Sequence, residues 1–389
     1  MFADVRGTMP QLGRRQEYIR SSNIKSVMKA IRSGGKTFAE LEEIMGLSNA
    51  AIFKIVSAMT ESGMVIRTQL PSSTAGRKAE IITPNPAYGY FAVILAHSDV
   101  LTVTVNDFVG GEYYKKEYET GYVVKREVIE TAMADVKKCK KKIHHVVFVF
   151  AGKYDCKIDK FVYAGKFAEF YGEKFAEYVK SKIGSPVLMV NDMSAAISSE
   201  LLKPATPDSF MYLYIDEGVG GGIALDRKIF SGERGMAGEF GFFGMNPIDA
   251  TDFFPNDKSK IFSTVLSLKS ITEKYCEVIG KEYSFYPTEK EEFIAKCLKG
   301  DKTAVGVLGS SVAILGRFLW SLTELLDISH ILFGGEIVRL DKLVGENLNE
   351  MFSKSPTSSQ IDVKFVTEAN EIYSGAIAEG LNAFEKFAE

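Results

Sequence analysis

The chain is 389 residues long, 46% hydrophobic and 25% charged, which suffices to bury a large core and predicts two or three domains. Its four cysteines, Cys139, Cys156, Cys276 and Cys297, lie far apart, which excludes a close-spaced metal knuckle or redox pair and fits a reducing cytoplasm. No apolar run approaches the ~18 residues that span a bilayer, and no signal-peptide core opens the chain, so a soluble, cytoplasmic protein with no membrane partner is expected.

The net charge of −3 hides a split, because residues 1–80 hold 12 Lys+Arg against 7 Asp+Glu while the remainder holds 35 against 43. A basic segment on an acidic body points to a polyanion partner for the first. Inside that segment Ile24, Val27, Met28 and Ile31 recur at helical spacing within Tyr18–Arg32, and Gly34-Gly35 stops the pattern. Thr37 caps a second helix, Phe38 to Met45, with Glu40 as its capping-box partner; Gly46-Leu47 turns the chain, and Ser48 caps a third helix, Asn49 to Ser62. Two helices joined by so short a glycine-containing turn predict a helix-turn-helix. On the third helix Ile52, Ile55, Val56 and Met59 form one stripe, which turns Ala50, Phe53, Lys54 and Ser57 outward, with Ser48 and Asn49 near the start. These six are the candidate DNA contacts, since a recognition helix enters the major groove by its N-terminal end. Met64–Leu70 and Glu80–Thr83 read as two short strands around a tip, Pro71 to Lys78, whose Arg77 and Lys78 can reach phosphates or a narrow minor groove. This is the pattern of a winged helix-turn-helix over residues 1–83, although three-helix units with basic faces also dock proteins.

Pro84-Asn85-Pro86 marks a boundary. Beyond it, strands are predicted at Tyr90–Leu95, Leu101–Val105, Glu112–Tyr118 and Val146–Phe150, with a helix at Arg126–Lys138; the lysine-rich Lys137–Lys142 is most simply a solvated helix end that suits the dipole. Strands alternating with helices imply an α/β fold. Val187–Val190 reads as a strand leading to Asn191 and Asp192. Phe210–Ile215 reads as a buried strand, Gly218-Val219-Gly220-Gly221-Gly222 as a turn able to crowd backbone N–H groups around an anion, and Ile223–Leu225 as the strand that follows. Glu239, in Ala237-Gly238-Glu239-Phe240-Gly241, is poorly placed for a solvated helix face and suits a group aimed into a cleft.

Together these stretches resemble the signature of the ROK family of sugar kinases and sugar-responsive repressors. The likeness lies in Gly218–Gly222 with Ala237–Gly241, in Pro186–Ala196 with its Asn191-Asp192 pair, and in Leu325–Asp327 with Ile331–Gly335. It implies a two-lobed, actin-like sugar-kinase fold: one lobe over 88–203 with a returning C-terminal helix at 374–389, the other over 208–373. It also implies that Asn191, Asp192, Glu239 and Gly152 line a ligand cleft, that Asp192 is the counterpart of a kinase's catalytic base, and that Gly218, Gly220, Gly221 and Gly222 are a phosphate-loop remnant. Asp192 suits equally the N-cap of a helix from Met193 to Leu202.

Three departures from the family pattern matter. The first phosphate loop, Asp-x-Gly-Gly-Thr in ATP-using members, is Leu95-Ala96-His97-Ser98-Asp99, without the acid or the glycines. The zinc-binding histidine position is Phe242, and Phe243–Lys260 contains neither Cys nor His, so no metal site and no cofactor are expected. The Pro-Gly pair is Ala151-Gly152, and the sugar-contacting Asn before Phe170 has no clear counterpart. The reading is a sugar- or polyol-responsive repressor acting as a homo-dimer or higher oligomer on double-stranded DNA; the alternative is a sugar kinase bearing a DNA-binding head.

Overall fold

The computed structural model describes residues 11–32, 34–70, 79–97, 99–244, 261–355, 361–367 and 370–386. From the N-terminus run α1 (Gln11–Arg32), β1 (Lys36–Thr37), α2 (Phe38–Met45), α3 (Asn49–Glu61), β2 (Val65–Gln69) and β3 (Glu80–Pro84). The α2 N-terminus is a reciprocal capping box: Thr37 Oγ1 accepts from the Glu40 N–H, and the Glu40 carboxylate accepts from the Thr37 N–H at 2.7 Å. Gly46, at φ 61°, closes α2, and Ser48 caps α3. Ile52, Val56 and Met59 are buried on α3, which packs on α2 and α1, where Leu41 and the Val27, Met28 and Ile31 stripe are buried in turn. α1 starts at Gln11 rather than Tyr18, because the residues before Tyr18 carry no apolar stripe for periodicity to detect. The short β1 adds a strand that the sequence reading missed, giving a sheet ordered β1-β3-β2.

The chain continues through β4 (Tyr90–His97), β5 (Val100–Asp107), β6 (Glu112–Glu119), α4 (Arg126–Lys138), β7 (Ile143–Phe150), β8 (Lys153–Asp155), β9 (Lys160–Tyr163), α5 (Phe175–Ile183), β10 (Val187–Asn191) and α6 (Asp192–Leu201). There follow β11 (Phe210–Ile215), β12 (Val219–Leu225), β13 (Lys228–Ile229), α7 (Phe262–Leu266), α8 (Leu268–Val278), α9 (Tyr286–Leu298) and α10 (Lys302–Leu326). The chain closes with β14 (His330–Gly334), α11 (Asp341–Ser353), β15 (Asp362–Phe365) and α12 (Glu371–Lys386). Two five-stranded sheets result, β6-β5-β4-β7-β10 and β13-β12-β11-β14-β15. Numbered within its own run, each has the order 3-2-1-4-5. That shared order is the mark of a duplicated α/β unit.

Two compact units emerge: Met1–Phe148 with Ala176–Leu188 and Ile377–Glu389, and Val149–Phe175 with Met189–Ala376. In the first, the end of α12 is anchored by Phe384, whose ring lies 4.9 Å from Phe108, 5.8 Å from Phe91 and 4.9 Å from His145. Arg32 of α1 donates to the Leu381 carbonyl at 3.0 Å and sits over the Phe108 ring, which ties the N-terminal helices into this unit. His145 stacks on Phe91, and its Nε2 lies 2.9 Å from the Gly380 carbonyl. A carbonyl only accepts, so Nε2 carries the proton and Nδ1 is left to accept from His144.

The second unit is built around Met211, Leu213 and Ile215 of β11, Ile331 and Phe333 of β14, and the inner faces of α8 to α11. The expectation that no apolar stretch reaches membrane-spanning length needs correction, since α10 is long and apolar enough to cross a bilayer by length and composition. Its Val307, Leu308, Val312, Leu315, Phe318 and Leu319 are buried in this core, so packing accounts for one face of the helix, while Trp320 and Leu325 are exposed.

The glycine run also differs from expectation. Gly220, Gly221 and Gly222 are strand residues of β12, opposite Tyr214, Leu213 and Tyr212 of β11, and the reversal is made upstream at Asp216–Gly218. They are glycines for want of room, because a Cβ would meet Met193 at Gly220, the Phe240 ring at Gly221 and Ile197 at Gly222. Likewise the N-cap of α6 is Asn191, whose Oδ1 accepts from the Met193 N–H at 2.9 Å, and Asp192 is the first helical residue.

Candidate functional site

Gly152, Asn191, Asp192 and Glu239 all fall in the second unit. Gly152 follows β7 with φ at 129°, a region disfavoured for L residues, and a Cβ there would lie 2.6 Å from the Tyr163 carbonyl. Its own carbonyl accepts from Asn191 Nδ2 at 3.2 Å. One amide therefore caps α6 with its oxygen and pins the β7–β8 turn with its nitrogen, and this fixes where Asp192 stands.

Asp192 is 9% exposed; its Oδ1 accepts from the Met193 N–H at 3.0 Å, and no cation pairs with it among the described residues. Burial pushes its carboxyl up to about 7, against the pull of that helix-start N–H. Glu239 is held by glycine-on-glycine packing: at Gly238, with φ 81°, a Cβ would lie 2.5 Å from Gly222 Cα, and at Gly241 it would run into the Val219 carbonyl. The two glycine clusters of the sequence are therefore the two faces of one close backbone contact, with Glu239 carried on its rim. Burial pushes Glu239 up to about 7 as well; the Lys153 charge draws it down and the Asp192 charge adds to the rise.

The sequence reading missed Lys153, the residue after Gly152. Its ammonium sits 3.8 Å above the centre of the Phe242 ring, which meets Tyr163 edge-on at 5.1 Å. Burial lowers its pKa and the facing Glu239 charge offsets part of that fall. The only local signal was its place in Ala151-Gly152-Lys153, beside a glycine already singled out. Gly218 and Val219 close the β11–β12 reversal, with the Val219 N–H donating to Ser263 Oγ at 3.1 Å, so that donor is already committed. Among the described residues no group of three His, Cys, Asp or Glu side chains could hold a metal ion.

In the first unit, the α3 candidates divide by use. Ala50, Phe53 and Lys54 are exposed and Ser57 is half-buried. Ser48 spends its hydroxyl on capping, accepting from the Ala51 N–H, and the Asn49 amide donates to Glu42. Phe53 is 42% exposed yet packs on Phe38 at 5.8 Å, with the Arg67 guanidinium over both rings at 5.3 Å. Arg67, unremarked in the sequence, donates from Nε to Glu80 at 2.9 Å across β2 and β3. Arg77 and Lys78 lie outside the described residues.

With this geometry in place, comparison with known proteins is decisive on family: the ROK family model matches residues 98–377. The chain belongs to the ROK family. Among solved structures, one described as a ROK family transcriptional regulator, homolog of E.coli MLC protein, superposes with a TM-score of 0.75. It covers 96% of this chain and 100% of that one, at 18% identity. The ROK hexokinase from Thermus thermophilus has a TM-score of 0.60 at 16% identity, covering 74% of this chain and 97% of the other. At these identities the likeness establishes the mixed α/β, sugar-kinase-like ROK fold. A curated relative, the beta-glucoside kinase of Listeria monocytogenes, is 28% identical over 195 residues, which is 49% of this chain and 63% of that protein. The N-acetyl-D-glucosamine kinase of Mannheimia succiniciproducens is 29% identical over 172 residues, 42% of this chain and 56% of that protein. The matched stretch thus spans less than two thirds of either kinase.

Proposed function

We propose that this ROK protein is a sugar- or polyol-responsive transcriptional regulator, a repressor of carbohydrate-metabolism genes. In this reading residues 1–83 form a winged helix-turn-helix that binds double-stranded DNA as a homo-dimer or higher oligomer, while Gly152, Asn191, Asp192 and Glu239 hold the effector. The observation that carries it is the two-faced α3, which buries Ile52, Val56 and Met59 and turns Ala50, Phe53 and Lys54 to solvent beside a three-stranded sheet in a basic segment. The solved regulator that matches this chain over 96% of its length supports it, since the hexokinase match reaches only 74%.

Asn191, Asp192 and Glu239 supply acceptors for adjacent hydroxyls and, when the acids are protonated, donors as well. Selection of bound sequences from random duplex DNA should yield a preferred operator. Lys54→Ala should lower the preference for that operator over random duplex, and Arg77→Ala should weaken binding to both and reduce the salt slope by about one. Absence of any preferred sequence for the wild type would refute the reading. A thermal-shift screen of sugars, amino sugars and cyclitols should yield a ligand whose stabilisation disappears in Asp192→Ala and Glu239→Ala.

One observation favours a second reading, a sugar kinase with an added DNA-binding head. Asp192 stands at the start of α6, just past the end of β10, with its carboxyl near 7, where a general base for a sugar hydroxyl works best, and the two curated relatives named above are kinases. Against it, Leu95 stands buried in β4 where ATP-using relatives place the metal-positioning acid. Sugar-dependent ADP release in a coupled assay separates the two; none is expected.

A further inference from the structure

The effector site contains one group that hydroxyl recognition does not require. Among the described residues the Lys153 ammonium has no carboxylate within ion-pair reach; it lies over the face of Phe242 and feels the Glu239 charge from farther off. An aromatic face satisfies none of its three N–H donors, and half-burial strips part of the water that would. The donors belong to the same small region as Asp192 and Glu239, because Lys153 directly follows the Gly152 carbonyl that Asn191 holds.

We propose that Lys153 sets the charge class of the effector. The site takes a hydroxyl-rich molecule that also carries an anionic group, a carboxylate or a phosphate, whose oxygens accept from Lys153 Nζ while its hydroxyls meet Asn191, Asp192 and Glu239. This rests on the effector site proposed above. The two acids do not bar an anion: buried side chains that hold their protons readily become O–H donors, and the ligand charge favours that state. A neutral sugar would leave the half-buried ammonium with only the Glu239 charge, beyond ion-pair reach, whereas an anion would form a charge-assisted pair over the Phe242 ring. The Phe242 face lies under the Lys153 ammonium and attracts it there.

The test uses the full chain and matched ligands at constant ionic strength: a hexose, its aldonic and uronic acids, and its 6-phosphate, with inorganic phosphate as a control for free anion binding. Calorimetric titration should show an anionic sugar binding at least ~10-fold tighter than the parent hexose; the acid and phosphate arms identify which anion is read. Lys153→Met should remove that preference, a loss on the order of 10- to 100-fold for the anionic ligand, with little change for the hexose. Lys153→Arg should keep the preference, which a purely structural lysine would not predict. Equal or tighter binding of the neutral hexose by the wild type overturns the charge-class proposal and leaves the effector site standing. So does anion preference that survives Lys153→Met. Binding of none of these ligands by folded wild-type protein overturns the charge-class proposal, and an empty screen of sugars, amino sugars and cyclitols besides sinks the effector site itself.

Discussion

Asp192→Asn gives the sharpest test of the site's electrostatics. The buried carboxyl of Asp192 sits at about 7, against roughly 3.9 for an aspartate in the unfolded chain. A raised carboxyl means the folded protein holds a proton that the unfolded chain has released, so stability falls as pH rises from about 4 through about 7. Linkage puts the destabilisation at about 1 to 2 kcal/mol at pH 5 and about 4 kcal/mol at pH 8. Asparagine has nearly the same shape, keeps an oxygen for the Met193 N–H and does not titrate. The stability of Asp192→Asn relative to wild type should therefore improve by about 2 to 3 kcal/mol between pH 5 and pH 8. Glu239 and Lys153 titrate beside it, but both remain in the variant, and loss of the Asp192 charge lowers the Glu239 pKa in the same favourable direction. Trp320, the single tryptophan, lies on α10 in the same unit and reports urea unfolding by fluorescence. Parallel pH profiles for the two proteins, with unchanged m-values, would show that the carboxylate is solvated and that the burial argument is wrong.

Three further outcomes follow from the packing. His145 is buried, neutral and held down to about 4, so it contributes stability above about 6.5 that is lost as pH falls; between pH 6.5 and 4.5, His145→Gln should lose about 2 kcal/mol less than wild type in urea melts. Gly238→Ala places a Cβ at φ 81° against the Gly222 backbone and should cost more than ~2 kcal/mol, whereas a cost under ~0.5 kcal/mol in the same melts would mean the glycine-on-glycine contact is loose. Thr37→Ala removes the α2 capping box and should cost about 1 kcal/mol without altering effector binding; a loss of effector affinity would contradict the placement of that site.

Local chemistry was legible wherever neighbours in sequence are also neighbours in space. The Thr37/Glu40 box, the Gly46 stop, the Ser48 cap and the helix Arg126–Lys138 stand where their residues predict, because caps and stripes act within one or two turns. Asn191-Asp192 was recognisable at a strand end, but which residue caps α6 was not: both side chains can reach the Met193 N–H, and the Gly152 carbonyl that holds the Asn191 amide comes from 39 positions away.

The sequence alone determined the class of the elements with a clear stripe or cap, the charge split and the family signature, since those are carried by composition and short-range spacing. Tertiary structure decided what the glycines are for. Gly220–Gly222 read as a turn, yet Met193, Ile197, Phe240 and Gly238 come from α6 and the Glu239 segment to crowd them, and no window of sequence contains all of these neighbours. It also decided that Lys153, unremarkable in β8, stands over Phe242 and faces Glu239, and that Arg67 on β2 clamps Phe38 and Phe53. Such contacts depend on the shape of a backbone already folded, and a single sequence read by periodicity has no term for that shape.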